Sequence, residues 1–127
     1  MARYGFDHIH LRSPDHEATA AWFQDTLGAE VVRRVTGAAP RIDMTLGGLD
    51  LFVSQSDARV AAPPQSPYNG IDHVGLAVQD LDAAVADLKA KGVTFTMEPR
   101  EARPGLRICF IEGPQNITIE LLERRPA

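Results

Sequence analysis

Two histidines and one glutamate are the residues of this sequence best suited to chemistry. His8 lies in Phe6-Asp7-His8-Ile9-His10-Leu11-Arg12-Ser13-Pro14-Asp15, and His73 in Ile71-Asp72-His73-Val74-Gly75-Leu76-Ala77-Val78-Gln79-Asp80. Aligned without a gap, both stretches give an apolar residue, Asp-His, then an apolar residue, with a Leu three places and an Asp seven places after the His. The histidines stand 65 residues apart in a chain of 127, so the chain reads as a duplicated unit. Side chains alternate between faces along a strand. His8, His10 and Arg12 therefore share one face, opposite Ile9 and Leu11. His73, Gly75 and Ala77 share the equivalent face, opposite Val74 and Leu76. Near the C-terminus Ile117, Ile119 and Leu121 form an apolar face, and Glu120 points the other way with Thr118. A carboxylate set among Ile119, Leu121 and Leu122 is rarely buried without a partner. Two neutral imidazoles and a carboxylate suffice for a divalent metal, with positions left open for water and substrate.

The elements that must position these groups follow from local pattern. Phe6 to Leu11 alternates and predicts a strand, broken by Ser13-Pro14-Asp15. Asp15 is suited to cap a helix running to about Thr26, with Ala18, Ala21, Trp22 and Leu27 as its apolar stripe and Gly28 as its left-handed end. His16 falls in the first turn and is expected to be exposed. Strands follow over Glu30–Val35, Arg41–Leu46 and Leu49–Ser54, the last two joined by a Gly47-Gly48 hairpin turn. The second copy repeats the order. A strand over Ile71–Val78 precedes a helix from Asp80 through Ala90 closed by Gly92, then strands over Val93–Met97, Leu106–Ile111 and Ile117–Leu122. Each unit is thus β-α-β-β-β, about 5–54 and 71–123, joined by a Pro-rich linker over 55–70 that is semi-extended. Glu98 to Gly105 reads as irregular and as a candidate substrate loop.

Composition narrows the function classes. The net charge of −4 and the lack of a basic run argue against nucleic acid as a partner. No apolar run approaches membrane-spanning length and no basic-then-apolar leader is present, so no membrane is expected and the expected location is the cytoplasm. The single Cys109, within Ile108-Cys109-Phe110-Ile111, forms no internal disulfide and is expected to be a small core residue.

At these residues the sequence resembles the vicinal oxygen chelate superfamily: glyoxalase I, methylmalonyl-CoA epimerase, fosfomycin-resistance thiol transferases, extradiol dioxygenases and bleomycin-resistance proteins. The resemblance runs from Phe6 to Glu123 on Asp7-His8-Ile9, on Asp72-His73-Val74-Gly75-Leu76-Ala77-Val78, and on Phe110-Ile111-Glu112-Gly113-Pro114-Gln115-Asn116-Ile117-Thr118-Ile119-Glu120-Leu121. It implies an α+β fold in which two tandem βαβββ units form a cupped eight-stranded mixed sheet with helices outside. It implies metal ligation by His8, His73 and Glu120, and a substrate that chelates through neighbouring oxygens. Glyoxalase I carries a further Glu, and the epimerase a Gln, where Phe52 stands here; Asp50 lies on the same strand face and is the one local substitute. Extradiol dioxygenases and the fosfomycin enzymes place a Tyr where Phe110 stands. Arg12 matches a glutathione-contacting Arg of glyoxalase I, but the position of a second such Arg is Asn69.

The expected function is therefore that of a metal-dependent lyase or isomerase, glyoxalase I-like, abstracting a proton beside a carbonyl through a metal-stabilised enediolate. One divalent ion (Ni, Zn, Co, Mn or Fe) and a small-molecule substrate are implied. The alternatives are an extradiol-type dioxygenase using non-haem iron and a metal-free binding protein of the bleomycin-resistance kind. Glu120 and His10 are the candidate catalytic residues. Arg12, Phe52, Phe110 and Arg103 are the candidate substrate contacts. His10 is either an acid or base beside the metal or a structural cavity residue, and Arg12 either anchors an anionic substrate or pairs with Asp43. Arg41, Asp43 and Thr45 face the cavity if Ile42, Met44 and Leu46 face the core. Four strands do not close around a ligand, so a homodimer is expected, with units paired within a chain or exchanged between chains.

Overall fold

A computed structural model describes residues 2–126. The chain divides into two compact units, Met1–Ala61 and Ala62–Ala127. The first contains β1 (Ile9–Ser13), α1 (His16–Leu27), β2 (Glu30–Val35), β3 (Arg41–Leu46) and β4 (Leu49–Gln55). Its four strands form a mixed sheet in the order β1-β4-β3-β2, with β1 parallel to β4 and the other pairs antiparallel.

Local chemistry accounts for the helix ends and the turn. The Asp15 carboxylate accepts the Ala18 N–H at 3.0 Å, satisfying a donor that the first turn leaves without a partner. Gly28 ends α1 at φ 76°, a conformation that costs other residues roughly 1–2 kcal/mol. Gly47 and Gly48 both take positive φ, as the tight β3–β4 hairpin requires. The apolar face of the sheet then packs on α1. Ala20 and Phe23 are buried, as are Ile42, Met44, Leu51 and Val53 from β3 and β4. At roughly 1.5–3 kcal/mol for each large side chain, this burial fixes which face of the sheet remains open.

The second unit contains β5 (Val74–Ala77), α2 (Leu81–Ala90), β6 (Phe95–Arg103), β7 (Leu106–Glu112) and β8 (Thr118–Arg124), in the sheet order β5-β8-β7-β6. Asp80 caps α2 as Asp15 caps α1, accepting the Ala83 N–H at 3.0 Å. Leu81, Val85 and Leu88 of α2 are buried, with Ile108, Ile111, Ile119 and Leu121 from β7 and β8. Cys109 is fully buried among them, and burial raises its thiol pKa. A buried carboxylate also holds the start of α2. Glu123 accepts the Leu81 N–H at 2.9 Å, and Arg125 Nε lies 2.6 Å from its other oxygen at an angle that makes no hydrogen bond. The Leu81 N–H, acting against burial and helped by Arg125 and Arg107, holds the Glu123 pKa below its ordinary value.

Five local expectations need correction. The buried stripe of α1 is Thr19, Ala20, Phe23 and Thr26 rather than Ala18, Ala21, Trp22 and Leu27, because the helix packs on the sheet through the neighbouring face. The first strand is Ile9–Ser13 rather than Phe6–Leu11, because the parallel ladder with β4 starts at Ile9↔Leu51 and runs to Ser13↔Gln55. The first strand of the second copy is Val74–Ala77 rather than Ile71–Val78. His8 and His73 thus stand one residue before their strands. The stretch from Glu98 is strand through Arg103, not a loop, with register shifts against β7. Pro99 is tolerated there because β6 is the edge of its sheet, where a missing N–H disrupts no second ladder. His16 is half-buried rather than exposed, with its backbone N–H and Nδ1 both on the Gln55 side-chain oxygen, at 3.0 and 2.8 Å.

Candidate functional site

In the second unit, ladder register assembles the polar group. Glu120 on the central strand β8 is the Cα partner of Gly75 on one side and of Phe110 on the other. Its buried neighbours Ile119 and Leu121 face α2, so alternation sends the Glu120 side chain to the open face. There Glu120 Oε1 lies 3.2 Å from His73 Nε2, with 14% of the carboxylate side chain exposed. The other imidazole nitrogen, Nδ1, lies 2.7 Å from the Asp72 carboxylate. That contact, working against burial and reinforced by Glu120, raises the His73 pKa. Phe110 meets the His73 ring edge-on, with centroids 5.2 Å apart. Gly75 keeps the space open, since a Cβ there would stand 3.7 Å from Glu120 Oε1 and 3.3 Å from Leu122 Cδ1.

The first unit builds a matching arrangement around a different partner. His8 Nδ1 lies 2.6 Å from the Asp7 carboxylate, as His73 does from Asp72. The His8 ring stacks on Phe52, with centroids 4.2 Å apart and planes inclined by 25°. Phe52 is half-buried on β4, the Cα partner of both His10 and Asp43, so its ring belongs to the open face and not to the core under α1. Arg41 lies over that ring, 4.6 Å from its centroid. Asp50 is exposed on the same strand. His10 Nε2 lies 2.8 Å from Ser54 Oγ. Burial, then Arg12, Arg41 and His8, lower the His10 pKa, which favours the neutral imidazole.

Asp43 is buried and accepts from Arg41 Nε at 2.7 Å and from Arg33 Nε at 3.2 Å. Burial alone would raise its pKa, but the two guanidiniums outweigh that and lower it. The expected alternative of an Arg12–Asp43 pair is therefore incorrect, because Arg33 and Arg41 take the carboxylate and Arg12 pairs with no carboxylate among the described residues. Arg12 stands exposed on β1 as the Cα partner of Ser54. Arg103 is exposed at the end of β6.

The structure thus brings His73, Glu120 and Phe110 together in one unit, and His8, His10 and Phe52 in the other. Among the described residues, neither unit by itself gathers three His, Cys, Asp or Glu side chains around one point. The donor chemistry nevertheless suits a divalent cation. In both units an Asp holds Nδ1 and directs Nε2 away from it, towards Glu120 at His73, the arrangement that orients metal-ligating imidazoles. The roles of Asp7, Asp72, Ser54 and Arg33 were missed from the sequence. The Asp-His dipeptide repeated in both copies was the available signal for the first two.

Comparison with known proteins bears on this arrangement. The family model described as Glyoxalase/Bleomycin resistance protein/Dioxygenase superfamily matches residues 5–121. The Bacillus subtilis protein YwkD is 28% identical over 123 residues, covering 92% of this chain and 94% of its own. An ethylmalonyl-CoA/methylmalonyl-CoA epimerase of Cereibacter sphaeroides is 28% identical over 120 residues, 83% of this chain and 85% of its own. A probable chloroplastic lactoylglutathione lyase of Arabidopsis thaliana is 28% identical over 124 residues, 94% of this chain, which spans only 35% of that relative. Among solved structures, a glyoxylase/bleomycin resistance protein/dioxygenase domain from Frankia superposes with a TM-score of 0.80 at 22% identity, covering 98% of this chain and 100% of its own. A variant of the fosfomycin resistance protein FosX from Listeria monocytogenes, complexed with Mn(II) and dihydroxypropylphosphonic acid, gives a TM-score of 0.75 at 21% identity, over 94% of this chain and 92% of its own. At such identities the two structures show the fold alone.

Proposed function

The chain belongs to the glyoxalase/bleomycin resistance protein/dioxygenase superfamily, and on that premise we propose that it is a metal-dependent lyase or isomerase, glyoxalase I-like, acting on a small substrate that chelates through neighbouring oxygens. His8, His73 and Glu120 are the proposed ligands of one divalent ion. The observation that carries the reading is the His73–Glu120 pair at 3.2 Å, with the His73 Nδ1 held by Asp72 and the same Asp-His hydrogen bond repeated at His8. The names of the epimerase and lyase relatives support isomerase or lyase chemistry, and the Mn(II) complex of FosX supports a divalent cation.

When bound, such an ion would polarise a substrate carbonyl as a Lewis acid. The remaining work belongs to the chain. Asp7 and Asp72 orient the imidazoles so that Nε2 faces the reaction centre. His10, held neutral and placed against Ser54, is suited to take a proton from a carbon beside a carbonyl, and Glu120 is the other candidate base. Phe52 and Phe110, set against His8 and His73, would border the substrate and favour an apolar portion beside its chelating oxygens. Arg12 and Arg103 would hold an anionic end, because a guanidinium fork meets a carboxylate with two hydrogen bonds. The working assembly is a homodimer in which the units pair within a chain or by exchange between chains, and the proposed location is the cytoplasm. No helix among the described residues is long and apolar enough to cross a membrane.

Metal titration after chelator treatment tests the reading. Wild type should bind one Mn²⁺ or Zn²⁺ per chain. His8→Ala, His73→Ala and Glu120→Ala should each weaken binding roughly a hundredfold, the upper end of what even outer partners of a metal contribute. Without metal each should still unfold cooperatively, with His8→Ala lowered by a few degrees for its lost stack on Phe52. Undiminished metal binding in any of the three would remove that residue from the ligand set.

A further inference from the structure

A pocket of about 650 Å³ at the open face of the first sheet is lined by Arg12, Arg33 and Arg41 beside His10 and Ser54; Arg34 also lines it, with its guanidinium turned to Glu17 of α1. We infer that this pocket takes a phosphate monoester group, so that the substrate is a small organic phosphate. The inference rests on the proposal above that the His10 face of this sheet is the substrate face.

Register explains how the cations come together. Ser54 on β4 is the Cα partner of Arg12 on β1 and of Arg41 on β3, and Arg41 is the partner of Val35 on β2. Directly paired residues project to the same face, so one row across the sheet reads guanidinium, hydroxyl, guanidinium, apolar group. Gathering like charges in this way is unfavourable unless something answers them. Asp43 answers Arg33 and Arg41, whereas Arg34, paired with the core residue Ile42, turns to the other face and to Glu17 on α1 at 2.7 Å. On the open face three guanidiniums, those of Arg12, Arg33 and Arg41, against the one Asp43 carboxylate leave two positive charges unmatched, the complement of the −1.5 to −2 charge of a phosphate monoester near neutral pH. Asp57, which feels the charge of Arg12, is occupied by Arg59 at 2.8 Å.

The placement of the donors favours phosphate over carboxylate. They come from all four strands and surround a common volume, which suits a group with three exposed oxygens; a planar carboxylate is satisfied by a single fork. Ser54 adds a hydroxyl that can both accept from and donate to its neighbours. Val35, Ala39 and Pro40 supply an apolar wall, and the volume exceeds what phosphate alone would fill, so the ester carries an organic part.

The test uses the whole chain after chelator treatment, at constant ionic strength, titrated with inorganic phosphate and then phenyl phosphate, with malonate as the dicarboxylate comparison. Backbone amide shifts at Arg12, Arg41 and Ser54 should saturate, with phenyl phosphate binding more tightly than phosphate and malonate more weakly. Arg12→Gln is an exposed substitution and should weaken phosphate binding about tenfold, the lower end for a hydrogen bond to a charged group. Arg59→Gln, outside the pocket, should not. Non-saturating shifts, tighter binding of malonate, or wild-type affinity in Arg12→Gln would overturn the inference. Because metal is absent throughout, such a failure leaves the ligand set of His8, His73 and Glu120 standing, and loss of that ligand set does not alter this readout.

Discussion

Replacing Phe52 by Glu asks most directly which face of the first sheet does chemistry. The ring stacks on His8 at 4.2 Å and lies under Arg41 at 4.6 Å. A stacked aromatic pair is worth about 0.5–1.5 kcal/mol beyond area burial, and a partly exposed cation over a ring about 0.5–1 kcal/mol. Losing both removes about 1–2.5 kcal/mol. The new carboxylate recovers only about 0.5 kcal/mol, since Arg41 is already engaged with Asp43. The net cost of about 0.5–2 kcal/mol corresponds to a fall in melting temperature of roughly 2–8 °C for a chain of this size. A carboxylate forced unpaired into the core under α1 would cost several kcal/mol and abolish cooperative unfolding. Circular-dichroism melting separates these outcomes. Metal titration gives the second readout. A carboxylate beside His8 should raise divalent-metal affinity roughly tenfold or more, at least the lower bound for an outer-shell partner. Collapse of the fold would refute the placement of Phe52 on the open face. A stable variant with unchanged metal affinity would refute the role of His8 as a ligand.

Asp72→Asn and Asp7→Asn should each lower metal affinity about 10-fold by removing the carboxylate that orients the imidazole. Both acids are largely exposed, so stability should change by no more than about 0.5 kcal/mol by urea unfolding, and a parallel loss of stability would point to a structural role instead. Asp43→Asn should cost about 2 kcal/mol, less than the 3–5 kcal/mol of a fully buried broken pair because Arg33 is exposed to solvent. Since the folded pKa of Asp43 lies below its unfolded value of about 3.9, its contribution is present above that pH and is lost as pH falls through the folded value. Urea unfolding of wild type and Asp43→Asn should therefore differ at pH 7 and converge towards pH 2, and a difference independent of pH would refute the linkage.

Much of this molecule is written locally in the chain. The Asp15 and Asp80 caps, the Gly28 helix end, the Gly47-Gly48 hairpin and the βαβββ order depend on short-range chemistry, and the structure contains all of them. The period of two that separates His8, His10 and Arg12 from Ile9 and Leu11 is equally local, as is the contrast of Glu120 with Ile119 and Leu121. Repetition of Asp-His at half-length pointed to paired sites before any contact was known.

Tertiary structure decided what depends on register and neighbours. Strand boundaries moved because a strand lasts as long as its partner, which is why β1 extends to Ser13 beside Gln55 and β6 continues through Pro99 at a sheet edge. The partners of Asp43 come from β2 and its own strand, and no spacing rule in the sequence distinguishes them from Arg12. The burial of Glu123 follows from where α2 starts, with the Leu81 N–H requiring an acceptor. The arginine pocket belongs to the same class. Its cations Arg12, Arg33 and Arg41 lie far apart in the chain, and only the order β1-β4-β3-β2 brings them to one face beside Ser54. Electrostatics acts through space, and a linear chain does not state which of its charges will be neighbours.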